Sequence, residues 1–472
     1  MKNNILKIKV VLLLAVLSLT ACSEDFLNDP QPTSSVTDVV VFDTREGVEA
    51  FLSGIHRQFR SQFTRTDSGG IYSMYFARIV KGNDIVQNSW FNFDYDNDNR
   101  EPTYTRVNFS WEFPYYMINQ ANILINGVTA SSLSDVDKEE LIAQGKTIRA
   151  FFYFQLAMEF QHTYTYDSTL PAPPIYTALS LEGKPMSTLD LMYDLIVNDL
   201  QDAVNSLDGS RLGKSYINQN VANGILARVY LVMENWSGAE QAAHDAYGGD
   251  VNAVLDATSY NKGFDDINNI EWIWGNPQTE DQTNYYYIAP HVFSDHANGP
   301  YNGTYINEEF VAEFSNTDVR KLFDSPYLST PGDWRRYTTT KFIFAFDSDM
   351  PLMRTAEMIL IEAEAKARQS EADAHDLLFK LQENRDMLAT RSTNTGNDLL
   401  EEILLERRKE LYAEIGVEWF DAKRLRRALP RTGAHRLINS DLTADDKKFF
   451  LKIPQREIDA NPNIDESVNT NR

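Results

Sequence analysis

Two stretches of the chain interleave flat aromatic rings with side-chain amides, carboxylates and a guanidinium. The first, 78–95, carries Arg78, Asn83, Asp84, Asn88, Trp90, Asn92 and Tyr95. The second, 272–305, carries Trp272, Trp274, Asn276, Gln278, Asn284, Tyr285, Tyr286, Tyr287, Tyr301 and Tyr305. Aromatic faces pack against the C–H faces of a sugar ring, and planar amides, carboxylates and guanidinium groups each offer two positions to neighbouring hydroxyls. The pattern points to recognition of a polyhydroxylated ligand. The candidate contacts are Arg78, Asn83, Asp84, Asn88, Trp90, Tyr95, Trp274, Asn276, Tyr285, Tyr286 and Tyr301. At least three of the rings are expected to form an exposed platform; for any single ring, burial in the core is the competing reading.

Covalent chemistry finds less support. The sequence holds no HExxH, GxSxG, GxGxxG or GxxxxGK[ST]. With 68 acidic residues, spacing distinguishes no carboxylate pair suited to glycoside cleavage. The seven histidines are scattered, and His291 with His296 reads as loop polarity or a substrate hydrogen bond rather than a metal pair. Asp94, Asp96 and Asp98 are spaced by two, as a calcium loop begins, but Asn99 and Thr105 stand where an EF-hand needs Gly and Glu. An acidic solvated turn is the expectation there, a structural calcium the alternative, and no other cofactor is expected.

The single cysteine has a different chemistry. Lys2, Lys7 and Lys9 precede an uncharged run, Val10 to Leu19, that is too short for the roughly 20 residues a membrane span needs. It suits the apolar core of a secretory signal. The run ends Leu19-Thr20-Ala21-Cys22, which resembles the lipobox of bacterial lipoproteins. Residues 1–21 are expected to be a signal peptide, Cys22 a lipidation site, and 22–40 a tether. No later stretch has 18 uncharged apolar residues, so the lipid is the expected membrane attachment. The formal charge of −24 becomes −27 without 1–21, which carries three lysines and no acid. Such a balance argues against nucleic acid or anionic headgroups as partners. One cysteine permits no internal disulfide, so a packed core must hold the fold, and 43% hydrophobic residues suffice for one.

Helical periodicity dominates the chain outside the two aromatic–amide stretches. Leu191, Leu195, Ile196, Leu200, Ala203, Val204 and Leu207 keep one face of a helix over 190–207. The same periodicity predicts helices over 138–160, 217–234, 237–247, 353–369, 371–390 and 398–413. They arrive in neighbouring pairs, similar to tetratricopeptide units although without the consensus Trp and Pro pattern. The expected fold is mainly α: a superhelix of helical pairs at about 112–247 and 352–415, with a loop-rich lobe at about 60–110 and 248–350 and a few short strands, one of them over 341–346. Residues 41–472 form one domain in this reading.

The order of segments resembles the SusD/RagB family of Bacteroidetes outer-membrane nutrient-binding lipoproteins. The resemblance is carried by Arg149-Ala150 to Leu156, Tyr193 to Leu200, Ala227-Arg228 with Tyr230-Leu231 and Trp236, Arg354 to Ala365, Glu406 to Leu411 with Glu414 and Trp419 to Arg424, and Ile453-Pro454 to Pro462. One departure stands out: Ile415 separates Glu414 from Gly416, where the family has Gly directly after Glu, and a local turn variant is expected. The resemblance implies a SusD-like fold with four tetratricopeptide-like units and a glycan site on the irregular side. It also implies a non-catalytic role: capturing oligosaccharide or polysaccharide at the outer membrane, facing the cell exterior, for a SusC-like TonB-dependent barrel. Ser23-Glu24-Asp25 resembles the acidic surface-export signal of such lipoproteins. A peptide or other non-sugar nutrient on the same scaffold is the alternative; a glycoside hydrolase is a further one. The charged block 406–414, with Trp419 and Phe420, is assigned to structure rather than to ligand.

Overall fold

The computed structural model describes residues 41–60, 69–87, 100–279, 304–326, 329–343, 345, 347–438 and 440–472. The signal, tether and Cys22 lie outside them.

The helical body begins with α1 (Arg45–Gln58) and α2 (Ile71–Ile79). A long hairpin follows, α3 (Thr105–Ala130) and α4 (Asp135–Phe160). Ser134 caps α4 by accepting from the Asp137 N–H at 3.2 Å, and Asp135 and Asp137 favour its positive N-terminus. Next come α5 (Leu189–Ser206), α6 (Gln219–Met233) and α7 (Trp236–Tyr247). Asn218 caps α6, Asn235 caps α7, and left-handed Gly248 ends it. After the short α8 (Glu308–Ala312), the body resumes with α9 (Thr355–Arg368), α10 (Ala374–Arg385), α11 (Asn397–Leu411), α12 (Val417–Arg424) and α13 (Gln455–Ala460). Successive helices pack side by side, α3 on α4 on α5, α6 on α7, and α7 on α9 on α10, so each buries the face its periodicity supplies. The seven helices expected from sequence are all present, with ends shifted by a few residues.

Among the described residues eight short strands form four two-stranded antiparallel sheets: β1 (Ile85–Gln87) with β5 (Thr304–Ile306), β2 (Pro171–Ala172) with β3 (Ser187–Thr188), β4 (Trp272–Asn276) with β8 (Met350–Arg354), and β6 (Phe323–Asp324) with β7 (Thr338–Thr339). Residues 341–343 are not a strand. Buried Lys341 fixes that segment by its side chain, donating to the Glu410 and Tyr412 carbonyls, each at 3.0 Å, and to Glu414 at 2.7 Å. Two elements also replace expected loop: α2, and the first turns of α3 before residue 112.

The recurring sequence segments turn out to be partners in buried ion pairs. Arg149 on α4 forks onto Asp199 on α5, both contacts 2.8 Å. Arg228 on α6 meets Glu357 on α9 at 2.5 and 2.7 Å. Arg424 on α12 forks onto Glu364 on α9 at 2.6 and 2.9 Å. Arg354 ends β8 and holds three carboxylates: Glu271, Glu410 at 2.9 Å and Glu414 at 2.7 Å. Arg385 on α10 reaches Glu271 and Glu410 at 3.0 Å each, and Arg320 joins Asp318, Glu406 and Glu410. Arg354, Arg385 and Arg320 hold the Glu410 carboxyl well below its ordinary range, outweighing the burial that would raise it. Each guanidinium offers a planar fork that matches a carboxylate, which compensates the desolvation of burying both charges. Gly416 has φ +75, and a Cβ there would sit 2.3 Å from that of Arg78. That glycine allows the close approach of α12 to α2.

Candidate functional site

The two aromatic–amide stretches converge through one small sheet. In β1–β5 the register pairs Gln87 with Thr304, Val86 with Tyr305 and Ile85 with Ile306. Gln87 is the last residue before segment 88–99, and Thr304 the first after 280–303. The far end of the second stretch is also held: Arg60 donates to the Pro277 carbonyl, and Asp349 accepts the Gln278 N–H at 2.7 Å.

A polar brace precedes β1. Asp84 takes both arms of the Arg408 guanidinium, at 2.6 and 3.0 Å. Glu418 accepts the backbone N–H groups of Asn83 and Asp84 at 2.8 and 3.0 Å. Burial, then the neighbouring Asp84 charge, pushes the Glu418 carboxyl up from 4.5 to about 7. The Asn83 amide donates to Thr432 Oγ1 at 3.2 Å and accepts from the Thr432 N–H at 2.8 Å and from Asn307 at 3.1 Å. Asn83, Arg408, Glu418 and Thr432 border a cleft of about 470 Å³ that Glu309, Glu313 and Glu401 also line. Asn83 and Asp84 therefore lock the turn that feeds β1.

Beside the sheet stands a ring absent from the sequence expectations, packed on Tyr305 of the second stretch. Half-buried Trp334 meets the buried Tyr305 ring edge-on, centroids 5.1 Å apart. The Arg335 guanidinium lies over Trp334 at 5.4 Å, and Arg336 over Tyr337 at 4.9 Å. Tyr337 extends the sheet, its carbonyl accepting the Ile306 N–H at 2.8 Å. The run Asp333-Trp334-Arg335-Arg336-Tyr337 shows the same interleaving as the two chosen stretches, and that signal was available in the sequence.

Three expected contacts belong to the interior instead. Trp274 is enclosed by Phe59 and Phe151, with centroids 5.4 and 5.2 Å away, and its indole N–H donates to the Ser215 carbonyl at 3.1 Å. Asn276 donates to the His56 carbonyl at 3.3 Å. Both lie on β4, whose five residues are all buried, so alternation there does not mark an open face. Arg78 is buried against Glu159 at 2.7 Å and lies over the Trp419 ring. Asn88, Trp90, Tyr95, Tyr285, Tyr286, Tyr301 and the triplet Asp94, Asp96, Asp98 lie outside the described residues. Among the described residues no group of three or more His, Cys, Asp or Glu is arranged to hold a metal ion, and no helix is long and apolar enough to cross a membrane.

A body of stacked helical pairs beside an irregular lobe is the architecture of SusD-like proteins. The family model described as "Starch-binding associating with outer membrane" matches residues 25–231, and that of the SusD family matches 274–469. A SusD-like carbohydrate binding protein from Bacteroides vulgatus is 27% identical, covering 90% of this chain and 98% of its own, with TM-score 0.82. A SusD superfamily protein from Bacteroides thetaiotaomicron is 24% identical over 89% of this chain and 99% of its own, with TM-score 0.79. No curated protein matches. The chain belongs to the SusD/RagB family.

Proposed function

We propose that this protein is a non-catalytic glycan binder at the cell surface, anchored by lipid on Cys22, that passes oligosaccharide to a SusC-like TonB-dependent outer-membrane barrel. One observation carries the reading: the Gln87–Thr304 register tethers both aromatic–amide stretches, chosen from sequence alone, at one place. Trp334 and Tyr337 stand beside that place with faces suited to sugar C–H groups. The carbohydrate-binding relative from B. vulgatus supports the ligand class. Trp90, Tyr95, Tyr285, Tyr286 and Tyr301 are the rings proposed to complete the platform, and Asn88 an amide beside them. A calcium at Asp94, Asp96 and Asp98 remains a separate proposal, tested by calcium titration.

Incubating the purified protein with a panel of oligosaccharides tests the reading. Heat of binding without new reducing ends supports it; new reducing ends would make the protein a hydrolase. Mild-detergent extraction and pull-down tests the partner: a TonB-dependent barrel is expected in near-equal amount, and recovery of this protein alone would remove the transporter from the proposal.

A further inference from the structure

A second concave site lies on the helical body and shares no lining residue with the cleft beside Asn83. It is a groove of about 440 Å³ between α3 and the segment 176–180, within the size range of small-ligand sites. Its floor is aromatic and fixed. Trp111 and Tyr115, four apart on α3, lie 5.1 Å between centroids, and Tyr176 meets Tyr115 edge-on at 5.9 Å. The Trp111 indole N–H donates to Glu457 at 3.2 Å, and the Tyr115 hydroxyl to the Pro174 carbonyl at 2.7 Å. Neither ring has to be ordered by a ligand, which lowers the entropic cost of binding.

The mouth is built differently. Tyr116 is 46% exposed, so one ring faces solvent beside this ordered floor. Asn119, three residues on and on the same helical face, is exposed and makes no side-chain hydrogen bond to a described residue. A flat ring with a free amide beside it is the pair a pyranose uses: the ring takes a C–H face, the amide bridges two hydroxyls. No lysine or arginine lines the groove, whereas Glu112 and Glu457 do. Arg456 pairs with Glu112 at 3.0 Å outside the lining, so within the groove itself sugars bearing carboxylate, sulfate or phosphate would meet acids and no lining cation. We propose that this groove is a second saccharide subsite, stacking one neutral sugar residue on Tyr116 with Asn119 holding its hydroxyls. The proposal rests on the protein being a glycan binder, but uses a different surface from the one around Trp334.

Photoaffinity mapping separates the two. Neutral malto-, manno- and xylo-oligosaccharides carrying a reducing-end diazirine are illuminated with the full chain, and the labelled peptides are identified by mass spectrometry. Label within 111–122 or 176–184, competed by the unmodified oligosaccharide, is the expected result. Tyr116→Ala should lower it about tenfold while label elsewhere and the melting temperature stay unchanged; Asn119→Ala should lower it less. Label in the groove with none near Trp334 would keep this subsite and overturn the main-site reading. Label near Trp334 alone would overturn the subsite and keep that reading, and no label anywhere would overturn both. Groove label indifferent to Tyr116→Ala would overturn the stacking assignment.

Discussion

Arg354 and Arg335 are the same residue in opposite settings. Arg354 is sealed in the body among Glu271, Glu410 and Glu414. Arg335 is exposed at the lobe, resting on Trp334 and held locally by Asp333. In the body, arginines join helices that are far apart in sequence, so their positions follow from packing. At the lobe, Arg335 and Arg336 lie over aromatic faces in contact with solvent, paired only with nearby Asp333 and Glu308. The comparison explains why the segments that mark the family most strongly say little about ligand: they are the two ends of internal ion pairs.

Arg354→Ala should break the body most severely. It leaves Glu271, Glu410 and Glu414 each short of one cation, with only Arg385, Arg320 and Lys341 to hold them, and removing one partner of a buried pair costs about 3–5 kcal/mol. Denaturant unfolding should register that loss, and a midpoint close to wild type would show that the charges are not sealed from water. Trp334→Ala should do the reverse. Losing one stacking face should weaken binding of the cognate oligosaccharide roughly tenfold, about 1.4 kcal/mol. Calorimetry alongside thermal melting would reveal it, and an equal fall in melting temperature with unchanged affinity would return Trp334 to the core.

Glu418→Gln sharpens the boundary between the regions. A carboxyl raised in the folded state from 4.5 to about 7 binds its proton more tightly folded than unfolded. Its contribution to stability is full below about pH 4.5 and is lost as pH rises through about 7. The variant cannot titrate there, so the difference in melting temperature between wild type and Glu418→Gln should shift across that window and level off above it. A constant difference would mean that Glu418 is already ionised when folded. Arg335→Ala should matter least: its pair with Asp333 is exposed and screened by water, so melting should change little.

Much of the body was legible because amphipathic period and length identify helices without help from distant residues. The ligand side was legible in composition but not in position. Trp274 and Asn276 alternate as an open strand would, yet all five residues of β4 are buried, Trp274 among them between Phe59 and Phe151. Arg78 looked like a ligand contact because its partner, Glu159, is 81 positions away. Trp334 was missed for the opposite reason: 333–337 is short, and only the bridge from Ile306 to Tyr337 shows that it adjoins the sheet. In each case the deciding fact is a long-range partner, which local pattern does not contain.

The far end of the chain returns to the middle of the body: the Leu451 N–H donates to the Glu159 carbonyl at 2.7 Å, and Arg472 to those of Phe160 and Pro171. This bears on timing. A chain still lacking residues beyond about 410 has no Glu410 or Glu414 to receive Arg354, and one lacking the last twenty or so leaves the C-terminal end of α4 without these donors. Contacts of such sequence separation close late and slowly. The bonds that seal Arg354 and the C-terminal end of α4 are therefore among the last that a growing chain can make.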